Sequence, residues 1–371
     1  MDINNAMLKP EEAAIFRLRA LYGKYGYTQY KMSKFEEYDL YVRNKSFLVS
    51  DSVITFTDTN GKLMALKPDV TLSIVKNTKD VPRQVKKVYY NENVYRVSGR
   101  SHTYREIMQV GLECLGDIDR YCVSEVLLLA AQSLAAISEE YILDVSHLGL
   151  LSMVLDRTGV SPDGQKRLLD CIAHKSLHDV GTILAEEGIE GERAALLSRL
   201  NECSGCAQEA FQKLYALFAD AEWQTTVKGF EETLSGLPMD HLRVDFSVIN
   251  DMRYYNGIVL QGFVRGIPEA ILSGGQYDKL MRRMEKRSGA IGFAVYLDQL
   301  EGLDCSQKDF DIDTVLLYDG TASPSAVQRA VGAITEQGES VVALKALPER
   351  MKYRRLLKLT ESGVETLETN A

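Results

Sequence analysis

The sequence has 371 residues, of which 45% are hydrophobic and 26% are charged, and its formal net charge at pH 7 is −9. This length allows a large core and two or three domains, and the composition is typical of globular proteins. The negative charge argues against a general attraction to nucleic acid or acidic lipid, and no secretory signal, membrane-spanning stretch or disulfide framework is evident, so we expect a soluble cytoplasmic protein.

Hydrophobic periodicity predicts a mixed first half of the chain. A helix is predicted over residues 10–25, beginning at Pro10, which is a good first-turn residue. Strands and turns are predicted over 26–116, including a hairpin at the Asn-Gly pair of ITFTDTNGKLMALKP. A helix is predicted over 119–134, and amphipathic helices follow from about 152 to 236.

The second half is predicted to return to strands at His241. A glycine-rich turn (SGGQYD), a basic helix (KLMRRMEKR) and a strand-helix unit at 290–303 follow. From about residue 308 the pattern predicts β-α-β, in which Ser323 caps a helix that begins at Pro324. The remaining length is enough for one further helix.

Two predicted strands carry polar groups that suggest a ligand site. In the strand Met108–Gly116, the alternation of side chains places Gln109, Gly111 and Glu113 on one face and apolar core on the other. An amide, a gap and a carboxylate suit a small polar ligand, because glycine weakens a strand unless something approaches closely. A half-exposed sheet with its polar face toward water is the alternative.

The second of these strands is SVINDMRYYNGIVLQGF, residues 247–263. In a regular strand Tyr254 and Tyr255 point to opposite faces, so only one of them is expected to line a pocket. The other is expected to lie in the core with its hydroxyl group bonded to a partner. Gly257 shares the face of Tyr255 and is expected to leave space there.

Six blocks, in this order, resemble the histidyl-tRNA synthetases, which are class II aminoacyl-tRNA synthetases. The blocks are LKPDVT (66–71), VYR (94–96), YREIMQVGLECLG (104–116), RYYNG (253–257), SGGQYD (273–278) and AIGFAVYLDQL (290–300). The resemblance covers nearly all of residues 10–306. It implies an α+β fold with an antiparallel sheet flanked by helices and a helical insertion at about 152–236. Residues 307–371 would then form a short C-terminal α/β unit, a remnant of the anticodon-binding domain.

The resemblance also implies a histidine-binding pocket. Asp69 and Thr71 match the positions that take the α-amino group, and Gln109 and Glu113 match a further pair that lines the pocket. The remaining matches are Tyr254 and Tyr255, which would enclose the imidazole ring, and Gly274, Gly275 and Tyr277 of the glycine turn.

The departures from the family pattern fall on the positions that handle ATP. Arg96 matches the second-motif arginine and would mark a residual nucleotide site, but the acidic residue two places later is replaced by Ser98. The third-motif arginine falls at Gln299 and the histidine-specific catalytic arginine at Asn250. Because adenylation brings two anions together, losing one fixed donor costs roughly 10²–10³ in rate and losing two about 10⁴–10⁶.

This combination is similar to that of a family of synthetase paralogues, the regulatory subunits of ATP phosphoribosyltransferase. That resemblance implies no catalysis, no cofactor and no tRNA binding. It also implies a homodimeric core, L-histidine as an effector, and a short catalytic subunit as partner in the first step of histidine biosynthesis.

Two other functions remain open. One is a histidine–tRNA ligase in which Arg253 stands in for the arginine absent at Asn250, although three residues along a strand would place it on the other face and about 10 Å away. The other is a free-standing histidine or nucleotide sensor.

Other candidate motifs are weaker. Cys203 and Cys206, with His174 and His178, could hold zinc only if both pairs converged, and a plain helix and turn are favoured, so no metal is predicted. The basic run MRRMEKR is typical of a solvated helix face or a partner surface. Arg100 and His102 could contact an anion or lie in an exposed loop.

Overall fold

The computed structural model describes residues 8–44, 53–97, 103–249, 254–303 and 310–370. They form two compact units, and the larger unit ends at Leu303. The predicted domain boundary between residues 306 and 307 lies outside the described residues.

The larger unit contains eleven helices and twelve strands within the described ranges. The helices are α1 (Pro10–Lys24), α2 (Tyr38–Arg43), α3 (Thr71–Asn77), α4 (Arg120–Ile137), α5 (Leu148–Thr158), α6 (Pro162–Ala173), α7 (Leu177–Glu186), α8 (Glu192–Asn201), α9 (Ala207–Leu217), α10 (Ala221–Leu234) and α11 (Asp278–Arg283). The strands are β1 (Thr28–Gln29), β2 (Phe35–Glu37), β3 (Thr55–Thr57), β4 (Leu63–Leu66), β5 (Val85–Val97), β6 (Tyr104–Gly116), β7 (Tyr141–His147), β8 (Gly205–Cys206), β9 (Leu242–Val244), β10 (Ile258–Val264), β11 (Leu272–Gln276) and β12 (Gly289–Tyr296). Two 3₁₀ helices span Met239–His241 and Leu297–Leu303.

The main sheet has the strand order β1-β5-β6-β12-β11-β10-β7-β9-β8. Its strands from β5 to β7 pair antiparallel, whereas β1 pairs parallel with β5, and β9 with β7. Apolar side chains of one face, including Leu112, Leu260 and Phe293, share a core with α1 and α4. The helices therefore cover one face, and the alternation along each strand leaves the other face for polar groups. The predicted α+β class is confirmed.

Helix α4 is long and apolar enough, by length and composition, to cross a membrane. Its apolar side chains, including Val126, Leu127 and Leu134, are buried in the core under the main sheet. The helix begins at a side-chain cap, because the Asp119 carboxylate accepts a hydrogen bond from Cys122 N at 2.8 Å. Burial in this core accounts for the apolar composition of α4.

The predicted helical segment contains α6 to α10 and the short strand β8. Trp223 is fully buried, and its indole nitrogen donates to the Leu214 carbonyl oxygen at 2.7 Å. Asp220 caps α10 by accepting from Trp223 N at 3.0 Å. The indole and the cap together fix α10 against α9.

A separate sheet has the order β2-β4-β3. The predicted Asn-Gly hairpin joins β3 to β4, and the Asp58 carboxylate accepts from Asn60 N and Lys62 N, both at 2.8 Å. Phe35 and Phe56 pack edge to face with their ring centroids 5.2 Å apart. They are nevertheless 48% and 38% exposed, so this sheet presents an aromatic surface.

The strand predicted over 247–263 is wrong in its middle part. Strand β10 begins only at Ile258, and Tyr254 to Gly257 form a turn and extended chain. Leu148 N donates to the Gly257 carbonyl oxygen at 2.9 Å, which fixes this segment to the start of α5. The alternating-face argument therefore does not apply to Tyr254 and Tyr255, and residues 250–253 lie outside the described residues.

The glycine-rich turn predicted at 273–278 is also wrong, because most of it is the central strand β11. A Cβ atom on Gly274 would lie 2.2 Å from the Gly292 carbonyl oxygen of β12. Close packing between neighbouring strands, and not a turn, therefore requires glycine here. The basic helix is shorter than predicted, since α11 ends at Arg283.

The smaller unit contains β13 (Ile312–Leu317), α12 (Pro324–Thr335), β14 (Val341–Leu344), β15 (Tyr353–Thr360) and β16 (Gly363–Thr369). Ser323 caps α12, as predicted, by accepting from Ala326 N at 3.3 Å. The strand order is β14-β13-β15-β16, with β15 and β16 antiparallel. The segment with room for a second helix thus forms a hairpin, because β15 completes the sheet on the open side of β13.

Candidate functional site

The Glu113 carboxylate lies at the centre of the polar face of the main sheet. It is 2% exposed and accepts hydrogen bonds from Thr71 Oγ1 at 2.7 Å and from the Tyr277 hydroxyl at 2.5 Å. A Cβ atom on Gly292 would lie 1.8 Å from Glu113 Oε2, so only glycine fits there. Four elements of the fold, β6, α3, β12 and the β11–α11 junction, therefore meet at one carboxylate.

Burial raises the pKa of Glu113 to about 8, although the hydroxyl groups of Tyr277 and Thr71 favour the ionised form. The negative charge of Asp69 raises this pKa further. A pKa raised this far favours the protonated carboxyl group near neutral pH. A ligand with N–H groups or positive charge would favour the ionised form, so Glu113 is suited to such a ligand.

Asp69 and Thr71 stand beside Glu113 at the start of α3. Asp69 accepts from Leu72 N at 2.8 Å, which orients its carboxylate and begins the helix. Burial raises the pKa of Asp69, while the Leu72 N–H and the Arg96 guanidinium oppose that shift. Two buried acids thus share one pocket and disfavour each other's ionisation.

Both predicted tyrosines belong to the same cluster. The ring centroids of Tyr254 and Tyr255 are 4.6 Å apart, and those of Tyr254 and Tyr277 are 5.8 Å apart. The Tyr254 hydroxyl is hydrogen-bonded to Thr71. A Cβ atom on Gly275 would lie 2.7 Å from Tyr255 Cδ1, so the second ring also faces this part of the sheet. The prediction that only one tyrosine lines the pocket was wrong, because the segment is not a strand.

Gln109 shares the face of Glu113, as the alternation predicts, and is 3% exposed. The gap between them is filled, however, because a Cβ atom on Gly111 would lie 2.4 Å from the Tyr90 hydroxyl oxygen. Tyr90 is a buried site residue that the sequence analysis missed. The register of β5 and β6 pairs Tyr90 with Gly111, and only that register could have revealed it.

Arg96, which occupies the residual nucleotide position, makes hydrogen bonds within the fold. Arg96 Nε donates to the Pro68 carbonyl oxygen at 3.0 Å, and its side chain also bonds the Tyr296 hydroxyl. Gln299 lies in the 3₁₀ helix after β12, and its Oε1 is buried without a hydrogen-bond partner in the described chain. Ser98, Arg100, His102, Asn250 and Arg253 lie outside the described residues.

A buried lysine next to this segment is committed to the fold. Lys67 is fully buried and pairs with Glu92 of β5. Glu92 is the cross-strand neighbour of Gln109, so the pair borders the polar face. Because a buried lysine stays charged only beside its partner, Lys67 has little freedom to serve a ligand.

The cysteine and histidine pairs do not form a ligand set. Within the described ranges no group of three or more His, Cys, Asp or Glu side chains could hold a metal ion. Cys203 is buried and donates from its thiol to the Arg199 carbonyl oxygen at 3.2 Å. His174 Nδ1 lies 2.7 Å from the Asp170 carbonyl oxygen at the end of α6.

Known proteins resemble this chain in sequence and in fold. A sequence model described as histidyl-tRNA synthetase matches residues 1–300. An ATP phosphoribosyltransferase regulatory subunit of Oceanobacillus iheyensis is 26% identical over 283 residues, which cover 74% of this chain and 69% of the relative.

Two solved structures share the fold. One is described as an ATP phosphoribosyltransferase regulatory subunit/histidyl-tRNA synthetase from Bacillus halodurans, with a TM-score of 0.74, 19% identity and coverage of 96% of this chain and 99% of the other. The other belongs to the ATP phosphoribosyl transferase (HisG:HisZ) complex of Thermotoga maritima, with a TM-score of 0.58, 17% identity and coverage of 80% and 98%.

The family match covers residues 1–300, and within it Thr71 and Tyr277 both donate hydrogen bonds to Glu113. The six blocks are spread over some two hundred residues of sequence, from LKPDVT to AIGFAVYLDQL. The chain belongs to the histidyl-tRNA synthetase family.

Proposed function

We propose that this chain is a non-catalytic regulatory subunit of ATP phosphoribosyltransferase in the cytoplasm. It would activate a short catalytic subunit and make the first step of histidine biosynthesis sensitive to histidine. The observation that supports the proposal is the polar cluster around Glu113, together with an uncharged Gln299 at the third-motif position, whose Oε1 is buried. Relatives named as regulatory subunits of this enzyme support it.

The pocket supports L-histidine as the ligand. An imidazole ring is flat and carries N–H groups, which suit the tyrosine rings and the Glu113 carboxyl group. Asp69 and Thr71 would take the α-amino group, Gln109 would line the pocket with Glu113, and Tyr254 and Tyr255 would enclose the ring. An acid that is protonated when the pocket is empty can ionise when a cationic ligand arrives.

The ATP side supports a loss of catalysis. Adenylation needs fixed positive charge around the triphosphate, and Gln299 supplies none. Arg96 retains its charge, but its Nε is used to hold the segment that carries Asp69. Asn250 would remove a second cation. Histidine could therefore bind without being activated.

The first prediction concerns catalysis. The purified chain should show no histidine-dependent exchange between ATP and pyrophosphate, because two missing cations lower the rate by about 10⁴–10⁶. A histidyl-tRNA synthetase assayed in parallel provides the reference rate. Exchange within about a hundredfold of that reference would instead support a histidine–tRNA ligase with displaced arginines.

The second prediction concerns the partner. Adding this chain to the short catalytic subunit from the same organism should raise the rate at which ATP is joined to phosphoribosyl pyrophosphate. Histidine should then lower the rate of the mixture more than that of the catalytic subunit alone. If the two chains neither co-purify nor change each other's activity, the regulatory assignment is wrong and a free-standing sensor is favoured.

The third prediction concerns the homodimer. Phe35 of β2 and Phe56 of β3 are exposed and pack against each other, so we place an interface between two copies at these rings. Replacing Phe35 and Phe56 together with serine should shift a dimer toward monomer in sedimentation at micromolar concentration. Leu367→Ser, which changes an exposed apolar residue of β16, is the matched control and should leave the dimer intact. A wild-type monomer would exclude this interface.

The fourth prediction concerns the pocket. Glu113→Ala should weaken histidine binding in calorimetry about ten- to hundredfold, or about 1.5–3 kcal/mol, because a charge-assisted hydrogen bond is lost. Glu113→Gln should retain the volume and lose part of the affinity. Glu106→Ala removes an exposed carboxylate from the same strand and should leave the histidine affinity unchanged.

A double variant decides whether these residues bind histidine at all. Gln109→Ala combined with Glu113→Ala should abolish measurable histidine binding while the far-ultraviolet circular dichroism spectrum is unchanged. Full histidine sensitivity in that variant would show that the regulatory site lies elsewhere.

A further inference from the structure

A second cavity lies in the helical insertion, and none of the proposed histidine-binding residues lines it. Its volume is about 680 Å³, which is in the usual range for small-molecule sites. Helices α6, α7 and α8 line it together with β8, the end of β9 and one residue of α5. Most of its wall is apolar, including Leu151, Leu184, Leu197 and Phe246.

Small residues keep this cavity open. Gly181 and Ala185 of α7 face Ala194 of α8 across the lining. A Cβ atom built on Gly181 would have no heavy atom within 4 Å. Gly181 and Ala185 are exposed, so the cavity opens to solvent along α7 and is a surface cleft rather than an interior void. A glycine inside a helix also lowers helix stability relative to alanine.

One part of the lining is charged. Asp245 is 7% exposed, and its Oδ1 accepts from Ser247 N at 2.8 Å and from Ser247 Oγ at 2.6 Å. Its Oδ2 accepts from Lys175 Nζ at 3.0 Å. Burial alone would raise the pKa of Asp245, but these hydrogen bonds and the lysine lower it. Both oxygens of this carboxylate are therefore already occupied.

In this region, the N–H groups without a hydrogen-bond partner in the described chain belong to two cations, Arg243 and Lys175. Arg243 Nε is 3.7 Å from Asp144 Oδ1, which is too far for a hydrogen bond, and within the described part of the chain the guanidinium makes no other. Lys175 uses one N–H on Asp245 and has two others. Its φ of 56° lies in the left-handed region that favours glycine, so its backbone is strained where it borders the cavity.

The remaining charged residue of the lining is Glu190, which is exposed in the connection between α7 and α8. It makes no ion pair among the residues that the structure describes. Lys175 and Arg243 are 69% and 47% exposed, so these charged groups are solvated as well. A cationic ligand would find one unpaired carboxylate in the lining, whereas an anionic ligand could use two N–H-rich side chains.

We propose that this cavity binds a small organic anion with an apolar body, such as a monocarboxylate of about eight to ten carbons. The carboxylate binds Arg243 and Lys175, and the hydrocarbon chain lies between α7 and α8. A carboxylate there would accept charge-assisted hydrogen bonds from these two side chains, and its hydrocarbon chain would contact the apolar part of the lining. This site is separate from the histidine pocket and does not depend on the proposed function.

Three probes of equal chain length test the charge preference on the full-length protein. Octanoate, octylammonium and octanol are titrated by calorimetry at the same pH and ionic strength. We expect one octanoate per chain, with an affinity at least about tenfold higher than that of the other two. Equal affinities for all three probes, or tighter binding of octylammonium, would overturn the proposal.

Variants of Gly181 locate the bound chain. Gly181→Phe fills the cavity and should weaken octanoate binding at least about tenfold, since the open space admits the ring. Gly181→Ala also replaces the glycine inside the helix, as Gly181→Phe does, but it leaves the cavity open. This variant should therefore bind octanoate as the wild type does. Unchanged binding by a folded Gly181→Phe protein would overturn the proposal.

Variants of the charged residues locate the carboxylate, and they decide the matter if Gly181→Phe does not fold. Arg243→Gln should weaken octanoate binding about tenfold and leave octanol binding unchanged. Glu190→Gln should not weaken octanoate binding. Octanoate binding that survives Arg243→Gln but is lost in Glu190→Gln would contradict the assigned polarity and overturn the proposal.

Discussion

The site depends on burying the Glu113 carboxyl group in the middle of a sheet. An isolated buried carboxylate is costly, and burial is the main cause that raises the pKa of Glu113. The fold stabilises the group with two hydroxyl donors, Thr71 at the start of α3 and Tyr277 after the end of β11. Gly292 on β12 leaves room for the carboxyl oxygen atoms. Moving any of these elements would leave the group without its donors, so the pocket and the sheet stabilise each other.

The need to pair buried charged groups also limits which cations near the pocket can act on a nucleotide. Lys67 is buried against Glu92, and Arg96 holds the Pro68 carbonyl oxygen that precedes Asp69. These contacts position the acids rather than a triphosphate. Gln299 needs no ion pair, but its buried Oε1 has no hydrogen bond in the described chain, and leaving a buried acceptor unsatisfied costs free energy.

Local patterns predicted the parts of the site that depend on one strand. The period of two along β6 was enough to place Gln109 and Glu113 on one face and Leu112 in the core. It could not show that the gap at Gly111 is filled by Tyr90, because this depends on the register with β5. Tyr-Tyr-Asn-Gly and Ser-Gly-Gly-Gln are both turn-like locally, yet only the second became a strand, through pairing on both sides. The β15–β16 hairpin likewise depends on pairing at an open sheet edge, because β15 pairs with β13 and β16 pairs with β15.

An amino-acid site can be retained after the catalytic groups next to it are lost. Catalysis requires groups that bind the transition state more tightly than the substrate, and in adenylation these are the cations around the phosphates. Removing them leaves ground-state binding of the amino acid intact, because the acids and tyrosines contact a different part of the reactants. Regulation then needs no new binding residues. Under the proposed function it would need only that histidine binds two arrangements of the complex with different affinity, and Glu113, which bonds Thr71 of α3 and Tyr277, would connect the ligand to these elements.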